Sequence, residues 1–148
     1  MQKRFFYTIF TIATLCFASC GDDGRSNKAI EKTAEEFANA YFNYDLAKAQ
    51  LMVDEQSKKW LSYEASNITE ADLELLRMQD KGATVTVDDS DCFADSAIVT
   101  VTVNDFLLAD SLGSKGRMVD EKTFTIRLVQ DANGKWKVRM GGPLRSEK

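Results

Sequence analysis

The chain has 148 residues, of which 44% are hydrophobic and 28% are charged, a composition typical of a globular protein with one core. Its net charge of −4 disfavours nucleic acid, because affinity for nucleic acid depends on neutralising phosphates. We therefore expect no nucleic-acid partner. The sequence contains no histidine, so the side chain that most often moves protons in enzymes is missing.

Residues 1–19 have the pattern of a secretory signal peptide. Lys3 and Arg4 give a basic start, residues 5–17 are largely apolar, and small residues precede Cys20. The apolar stretch is shorter than the roughly 20 residues that a transmembrane helix needs. We expect cleavage directly before Cys20. The alternative is a plain secretory signal in which this cysteine is incidental.

The tetrapeptide F-A-S-C at 17–20 resembles the lipobox of bacterial lipoproteins, with Phe17 in place of the usual leucine. The resemblance implies that Cys20 carries acyl chains such as palmitate and anchors the protein to the outer membrane. Several chains on one residue anchor stably, whereas one binds only marginally. Asp22 and Asp23 resemble the surface-export signal of Bacteroides-type bacteria. The sequence thus predicts a cell-envelope lipoprotein and leaves open its periplasmic or surface side.

A tether at 20–27 is predicted to precede one domain at 28–141, with a tail at 142–148. Ser26 or Asn27 can cap a helix from about Lys28 to Asn43. Its apolar residues recur at helical spacing. They are Ile30, Ala34, Phe37, Ala38 and Tyr41.

Three shorter helices are predicted next. The chain breaks at 43–45, and Asp45 can cap a helix over 46–52. A third segment covers about 55–64. A fourth begins with Thr69 and Asp72, which have the spacing of a capping box.

From Gly82 the hydrophobic period changes from about 3.6 to 2, which predicts strands. Residues 131–134 read D-A-N-G, a composition typical of a hairpin turn. Helices followed by hairpins favour an α+β fold, with N-terminal helices packed on a curved antiparallel sheet of about four strands. The predicted strands cover 83–87, 97–103, 122–130 and 135–140.

This element order resembles the cystatin-like cone of the nuclear-transport-factor-2-like superfamily. The resemblance also rests on F-x-x-A-Y-F-N-Y-D-L-A-K-A at 37–49 and N-G-K-W-K-V at 133–138. More narrowly, the chain is similar to small Bacteroides-type lipoproteins that carry an uncharacterised domain of this fold. The resemblance implies a cone that is either filled or holds a small apolar ligand. It also implies that a homodimer can form through the sheet.

Enzymes of this superfamily place an aspartate with a histidine or tyrosine inside the cone. The candidates here are Asp45 and Asp105, with Tyr41, Tyr44 and Tyr63. Asp45 is also explained as a helix cap, and Tyr41 lies on the apolar stripe. We therefore assign no catalytic residue and expect no cofactor.

The interior of the cone is predicted to decide the function. A core filled by Phe37, Tyr41 and Trp136 would favour a binding or interaction module without catalysis, acting on a protein or a small apolar ligand. Tyr41, Tyr63 and Trp136 are the weak candidates for ligand contact. One alternative is a small isomerase- or dehydratase-like enzyme that uses Asp and Tyr. The other is a structural accessory of an outer-membrane complex.

Four remaining features have local interpretations. The acidic cluster at 88–91 lacks the glycine and glutamate of a calcium loop, so we expect no metal and interpret it as an exposed strand end or a bulge whose charges discourage edge pairing. The lone Cys92 is interpreted as a small buried hydrophobe. Ser96 and Ser111 follow aspartates in motifs that resemble Bacteroides-type O-glycosylation sites. The long connection at 107–120 is the predicted contact loop.

Overall fold

The computed structural model describes residues 23–109 and 114–144. The predicted α+β class is confirmed for them, and no helix among them is long and apolar enough to cross a membrane. The helices are α1 (Asp23–Phe42), α2 (Leu46–Gln50), a 3-10 turn (Glu55–Ser57), α3 (Lys58–Asn67) and α4 (Glu70–Arg77). The strands are β1 (Thr84–Cys92), β2 (Ser96–Leu108), β3 (Arg117–Gln130) and β4 (Trp136–Val138).

Helix α1 packs on the sheet and contacts all four strands. The predicted apolar stripe is buried along its whole length, from Ile30 to Tyr41. The helix begins at Asp23, earlier than the predicted start at Lys28, so the predicted caps Ser26 and Asn27 lie inside it. Residues 23–27 include Gly24 and other weak helix formers, but no proline that would stop the helix.

The two predicted caps after α1 are confirmed. The Asp45 side chain accepts a hydrogen bond from the Lys48 amide at 3.2 Å. Thr69 and Asp72 form a reciprocal capping box at the start of α4. Short polar side chains there satisfy amides that have no partner within the helix.

The sheet is an antiparallel meander in the order β1-β2-β3-β4. The predicted turn at 131–134 is confirmed: the Asp131 carboxylate accepts hydrogen bonds from the amides of Asn133 and Lys135. Gly134 has φ +74°, which favours glycine. A parallel bridge between Val53 and Val138 covers the outer edge of β4.

Two irregularities interrupt the long strands. The pairing of β1 with β2 shifts between Val87 and Asp89, which confirms the predicted bulge in the acidic cluster. In β2, Asp105 has φ +55°. Burial alternates up to Val103, but Phe106 and the two residues after it are all buried. Asp105 therefore changes which residues face the core.

The core fills the space between α1 and the sheet. Phe42, Phe106 and Phe124 form a three-ring cluster with centroids 4.6–5.4 Å apart. Phe106 is fully buried, and the other two are 4% and 2% exposed. These rings supply large apolar area where α1 ends.

One sequence-based interpretation is wrong: Cys92 is exposed because it lies at the end of β1, past the bulge. The predicted contact loop at 107–120 is shorter than expected, since β2 continues to Leu108 and β3 begins at Arg117. Its role as a contact site stays a prediction. In the sequence, apolar and polar residues stop alternating after Val103, because Asp105 shifts the pattern. The predicted connection was therefore longer than the one in the structure.

Candidate functional site

A small cavity, which we call the mouth cavity, lies where the C-terminal end of α1 meets the end of β2. Its walls include Tyr41, Tyr44, Glu64, Leu107 and Leu144. Its volume is about 20 Å³, which is room for one water molecule. Small-molecule sites typically measure about 300–1,000 Å³. The mouth cavity as it stands is therefore too small for a ligand of that size.

Tyr44 reaches this cavity because the chain breaks sharply after α1. Its φ is +58°, in the left-handed region, and the Asp45 amide donates to the Ala40 carbonyl at 2.9 Å. Burial raises the pKa of Tyr44 to about 12, helped by the negative charges of Glu64 and Asp72. Tyr44 is consequently a neutral hydroxyl at physiological pH.

Asp72 is a buried carboxylate whose charge acts on Tyr44, and its relative exposure is 1%. One oxygen accepts hydrogen bonds from the Thr69 amide at 2.8 Å and the Thr69 hydroxyl at 2.7 Å. The other oxygen accepts from the Gly116 amide at 2.7 Å. Burial alone would raise the pKa of Asp72, but these hydrogen bonds outweigh burial and lower it. Asp72 thus ties α4 to the segment before β3 and stays ionised.

Gly116 is required by this close approach. A Cβ at this position would lie 3.1 Å from the Asp72 carboxylate and 3.0 Å from the Leu107 side chain. A larger residue would push the carboxylate away from the amide. The contact therefore depends on glycine.

The segment at 141–144, which we call the strap, closes the mouth cavity. The Leu144 amide donates a hydrogen bond to the Tyr41 hydroxyl at 3.1 Å. The Leu144 side chain is partly buried and packs against the core. The tail that the sequence predicts from residue 142 is thus ordered against the domain as far as Leu144.

The sequence-predicted residues do not form one site. Tyr41 lines the mouth cavity, whereas Trp136 is 9% exposed in the core. Tyr63 packs edge-on against Trp60 in α3, with ring centroids 6.3 Å apart. Asp105, an enzyme candidate, is exposed, and its carbonyl accepts a hydrogen bond from the Gln79 side chain.

The modification candidates are placed only in part. Ser96 begins β2 and is half-buried, and its carbonyl accepts a hydrogen bond from the Phe93 amide at 2.8 Å. Cys20 and Ser111 lie outside the described residues, as does the signal segment 1–19. Lipidation and O-glycosylation therefore stay predictions.

Sequence reasoning missed two long-range contacts. Asp72 was recognised as a helix cap, but its hydrogen bond with Gly116 joins residues 44 positions apart. Leu144 was assigned to a tail, although its bond to Tyr41 spans 103 positions. Local patterns contain no signal for either contact.

The face of the sheet opposite the core forms a second surface, which we call the outer face. Thr86, Thr102 and Thr123 form one row across β1, β2 and β3. Toward one end of β3 stands the exposed Arg127, and toward the other stands Glu121, which accepts a hydrogen bond from Asn104. The Thr102 hydroxyl donates a hydrogen bond to the Asp88 carboxylate at 2.7 Å, so the threonine row also borders a negative charge. Along β3, the outer face carries opposite charges at its two ends.

Comparison with known proteins adds structural similarity only. A search of solved structures matches several chains, among them an "Ntf2 like protein involved in plasmid conjugation", with a TM-score of 0.34 and 15% sequence identity. The match covers 83% of this chain and 50% of the other, so this chain spans about half the length of that protein. No family model matches the chain, and a search of curated proteins finds no match. The functional proposal depends on the geometry of this chain alone.

Proposed function

We propose that this protein is a lipid-anchored binding module of the cell envelope that contacts a partner protein through its outer surface, without catalysis. The filled interior is the observation that carries the proposal. Phe42, Phe106 and Phe124 occupy the space between α1 and the sheet. The mouth cavity beside them has a volume of about 20 Å³. The outer surface of the domain therefore offers a partner more contact area than the mouth cavity does.

The alternative function, a small enzyme, would require a different structure inside the domain. An isomerase or dehydratase would need an inward carboxylate beside a cavity of substrate size. Both Asp72 oxygens are occupied by hydrogen bonds from Thr69 and Gly116. Glu64 lines a cavity with room for one water molecule. This arrangement suits a binding module better than an acid-base pair.

Photo-crosslinking in envelope membranes tests the proposal. A crosslinking residue is placed at exposed Phe93 or Met78, and the matched control places it at buried Val101. We expect adducts of defined mass from the exposed positions and none from the control. A small molecule that co-purifies with the folded chain, without surface adducts, would overturn the proposal. A membrane complex that fails to assemble without the chain would favour the accessory role.

The lipid anchor is tested separately through Cys20. Cys20→Ala should remove the attachment site for the acyl chains, so we expect the protein to leave the membrane fraction. Membrane fractionation and the mass of the N-terminal peptide measure both consequences. Normal cleavage with retention in the membrane would show that the anchor lies elsewhere.

A second copy of the chain is the partner that the outer face suits. A two-fold axis near Thr123 would bring Arg127 of one copy toward Glu121 of the other, so the opposite charges would pair. Sedimentation of the full chain in detergent measures the association. Arg127→Glu and Glu121→Arg should each weaken a dimer, and the double exchange should restore it. A monomer at all concentrations would contradict this assignment.

A further inference from the structure

We propose that the strap is a displaceable plug, and that the mouth it covers binds an extended peptide segment with a leucine-like side chain beside a free backbone N–H. This inference deepens the proposed function, since a partner protein would supply that segment. The strap would then act as an intramolecular competitor for the partner.

The contacts of Leu144 define what the mouth recognises. Its amide donates to the Tyr41 hydroxyl at 3.1 Å, and its side chain packs against the core. Any peptide that offers an N–H donor next to a branched aliphatic side chain can make the same pair of contacts. Leu144 therefore occupies the mouth as a peptide ligand would.

The strap is anchored at the residue before it, and open space surrounds its two glycines. Before it, the buried Met140 amide donates to the Ser57 hydroxyl at 2.8 Å. A Cβ added at Gly141 or Gly142 would meet no atom within 4 Å. A cleft of about 150 Å³ lies between the strap and the adjoining parts of β3 and β4. Leu144 can thus leave without disturbing the chain before Met140.

The walls of the mouth stay in place when the strap leaves. Tyr41 projects from α1, and its ring contacts Phe37 and Phe42 with centroids 5.7 and 5.1 Å apart. Tyr44 is fixed by the break after α1. A preformed wall reduces the ordering that binding requires. The Glu64 carboxylate on the same wall favours a neutral or basic segment over an acidic one.

The test uses the peptide G-G-P-L-R-S, which copies residues 141–146, and measures its affinity by calorimetry. The receptors are the full chain in detergent, the full chain with Leu144→Gly, and the chain ending at Gly141. We expect both altered receptors to bind about tenfold more tightly than the full chain, because the tethered strap competes at high effective concentration. A peptide with glycine in place of leucine should not bind.

Two controls separate the possible failures. Tyr41→Phe, combined with Leu144→Gly, should weaken binding several-fold, since the acceptor of the amide hydrogen bond is lost. Lys48→Ala lies outside the mouth and should change nothing. Equal affinity for the full chain and the Leu144→Gly chain would overturn the plug. Absence of binding to every receptor would overturn the mouth site, while surface crosslinks would still support the proposed function.

Unfolding of the altered receptors would also be decisive. If both Leu144→Gly and the shortened chain lose their folded circular-dichroism signal, Leu144 is part of the core and the plug is overturned. If only the shortened chain unfolds, Leu144→Gly carries the test. Retained folding in both, with tighter peptide binding, is the expected result.

Discussion

The interior of the domain and the mouth cavity are built from different chemistry, although Tyr41 and Phe42 are neighbours in sequence. Around Phe42 the contacts are mostly aromatic, with Phe106 and Phe124 in direct ring contact, and one side of the ring borders the mouth cavity. Around Tyr41 lie hydroxyl and carboxylate groups, and the far wall is the strap. The interior stabilises the fold by burial, whereas the mouth depends on a few directional contacts.

This difference indicates which region can change shape. Close-packed apolar groups resist rearrangement because any gap loses contacts. A contact made by one amide and one side chain can be exchanged for the same contact from another molecule. Substitutions in the interior should therefore change stability, and substitutions in the mouth should change binding or pH response.

The largest effect is expected in the interior. Phe106→Ala removes a fully buried ring from the three-ring cluster, and we expect a loss of about 3–5 kcal/mol in the free energy of unfolding. Urea denaturation measures it. The matched control is Phe93→Ala, which removes a 53% exposed ring and should change stability by less than about 0.5 kcal/mol. Equal losses would mean that the two rings are buried alike.

The second effect concerns the buried Asp72. Asp72→Asn replaces the carboxylate that accepts hydrogen bonds from Thr69 and Gly116 with a neutral amide. We expect the free energy of unfolding to fall by about 3 kcal/mol at pH 7. Asp45→Asn is the control, because asparagine caps a helix as well as aspartate does, and it should cost less than about 0.5 kcal/mol.

The same carboxylate should produce a pH dependence. The pKa of Asp72 is lowered in the folded protein, so its contribution is present above its ordinary value of 3.8 and is lost as pH falls through the folded pKa. The stability difference between the wild-type protein and Asp72→Asn should therefore shrink below pH 4. Urea denaturation at a series of pH values measures this difference. A difference that stays constant down to pH 2 would contradict the cause assigned to the shift.

At alkaline pH the mouth should respond through Tyr44. Its pKa of about 12 exceeds the ordinary 10, so the folded state favours the neutral phenol. The contribution is present below pH 10 and is lost as pH rises toward 12. We expect the unfolding free energy of the wild-type protein to fall more steeply over this range than that of Tyr44→Phe. Parallel curves would show that Tyr44 ionises as easily in the folded protein as in the unfolded one.

The smallest effect on stability is expected at the strap. Leu144 is only partly buried, so Leu144→Ala should cost about 1 kcal/mol or less. Thermal unfolding measures this cost, and amide exchange of residues 141–144 should accelerate. A loss comparable to that of Phe106→Ala would place Leu144 in the core and erase the distinction between the two regions.

Much of the fold could be predicted from local pattern. The apolar stripe of α1, the caps at Asp45 and Thr69 and the turn at 131–134 are all confirmed. Each depends on residues within a few positions of one another, where spacing and side-chain chemistry act directly. The prediction that Cys92 is buried was wrong, because the bulge in β1 and the end of the strand change its surroundings.

The sequence by itself determined the class of fold and predicts a lipid anchor at Cys20, but it left open whether the core is filled or holds a ligand. The tertiary structure decided how the core is packed and how distant segments are joined. Asp72 meets Gly116, and Tyr41 meets Leu144, across separations of 44 and 103 residues. Such contacts have no local signature, because they depend on how the helices and the sheet pack together. The physical reason is that periodicity reports which side of an element is apolar, whereas a hydrogen bond between distant residues needs two elements to be placed within about 3 Å.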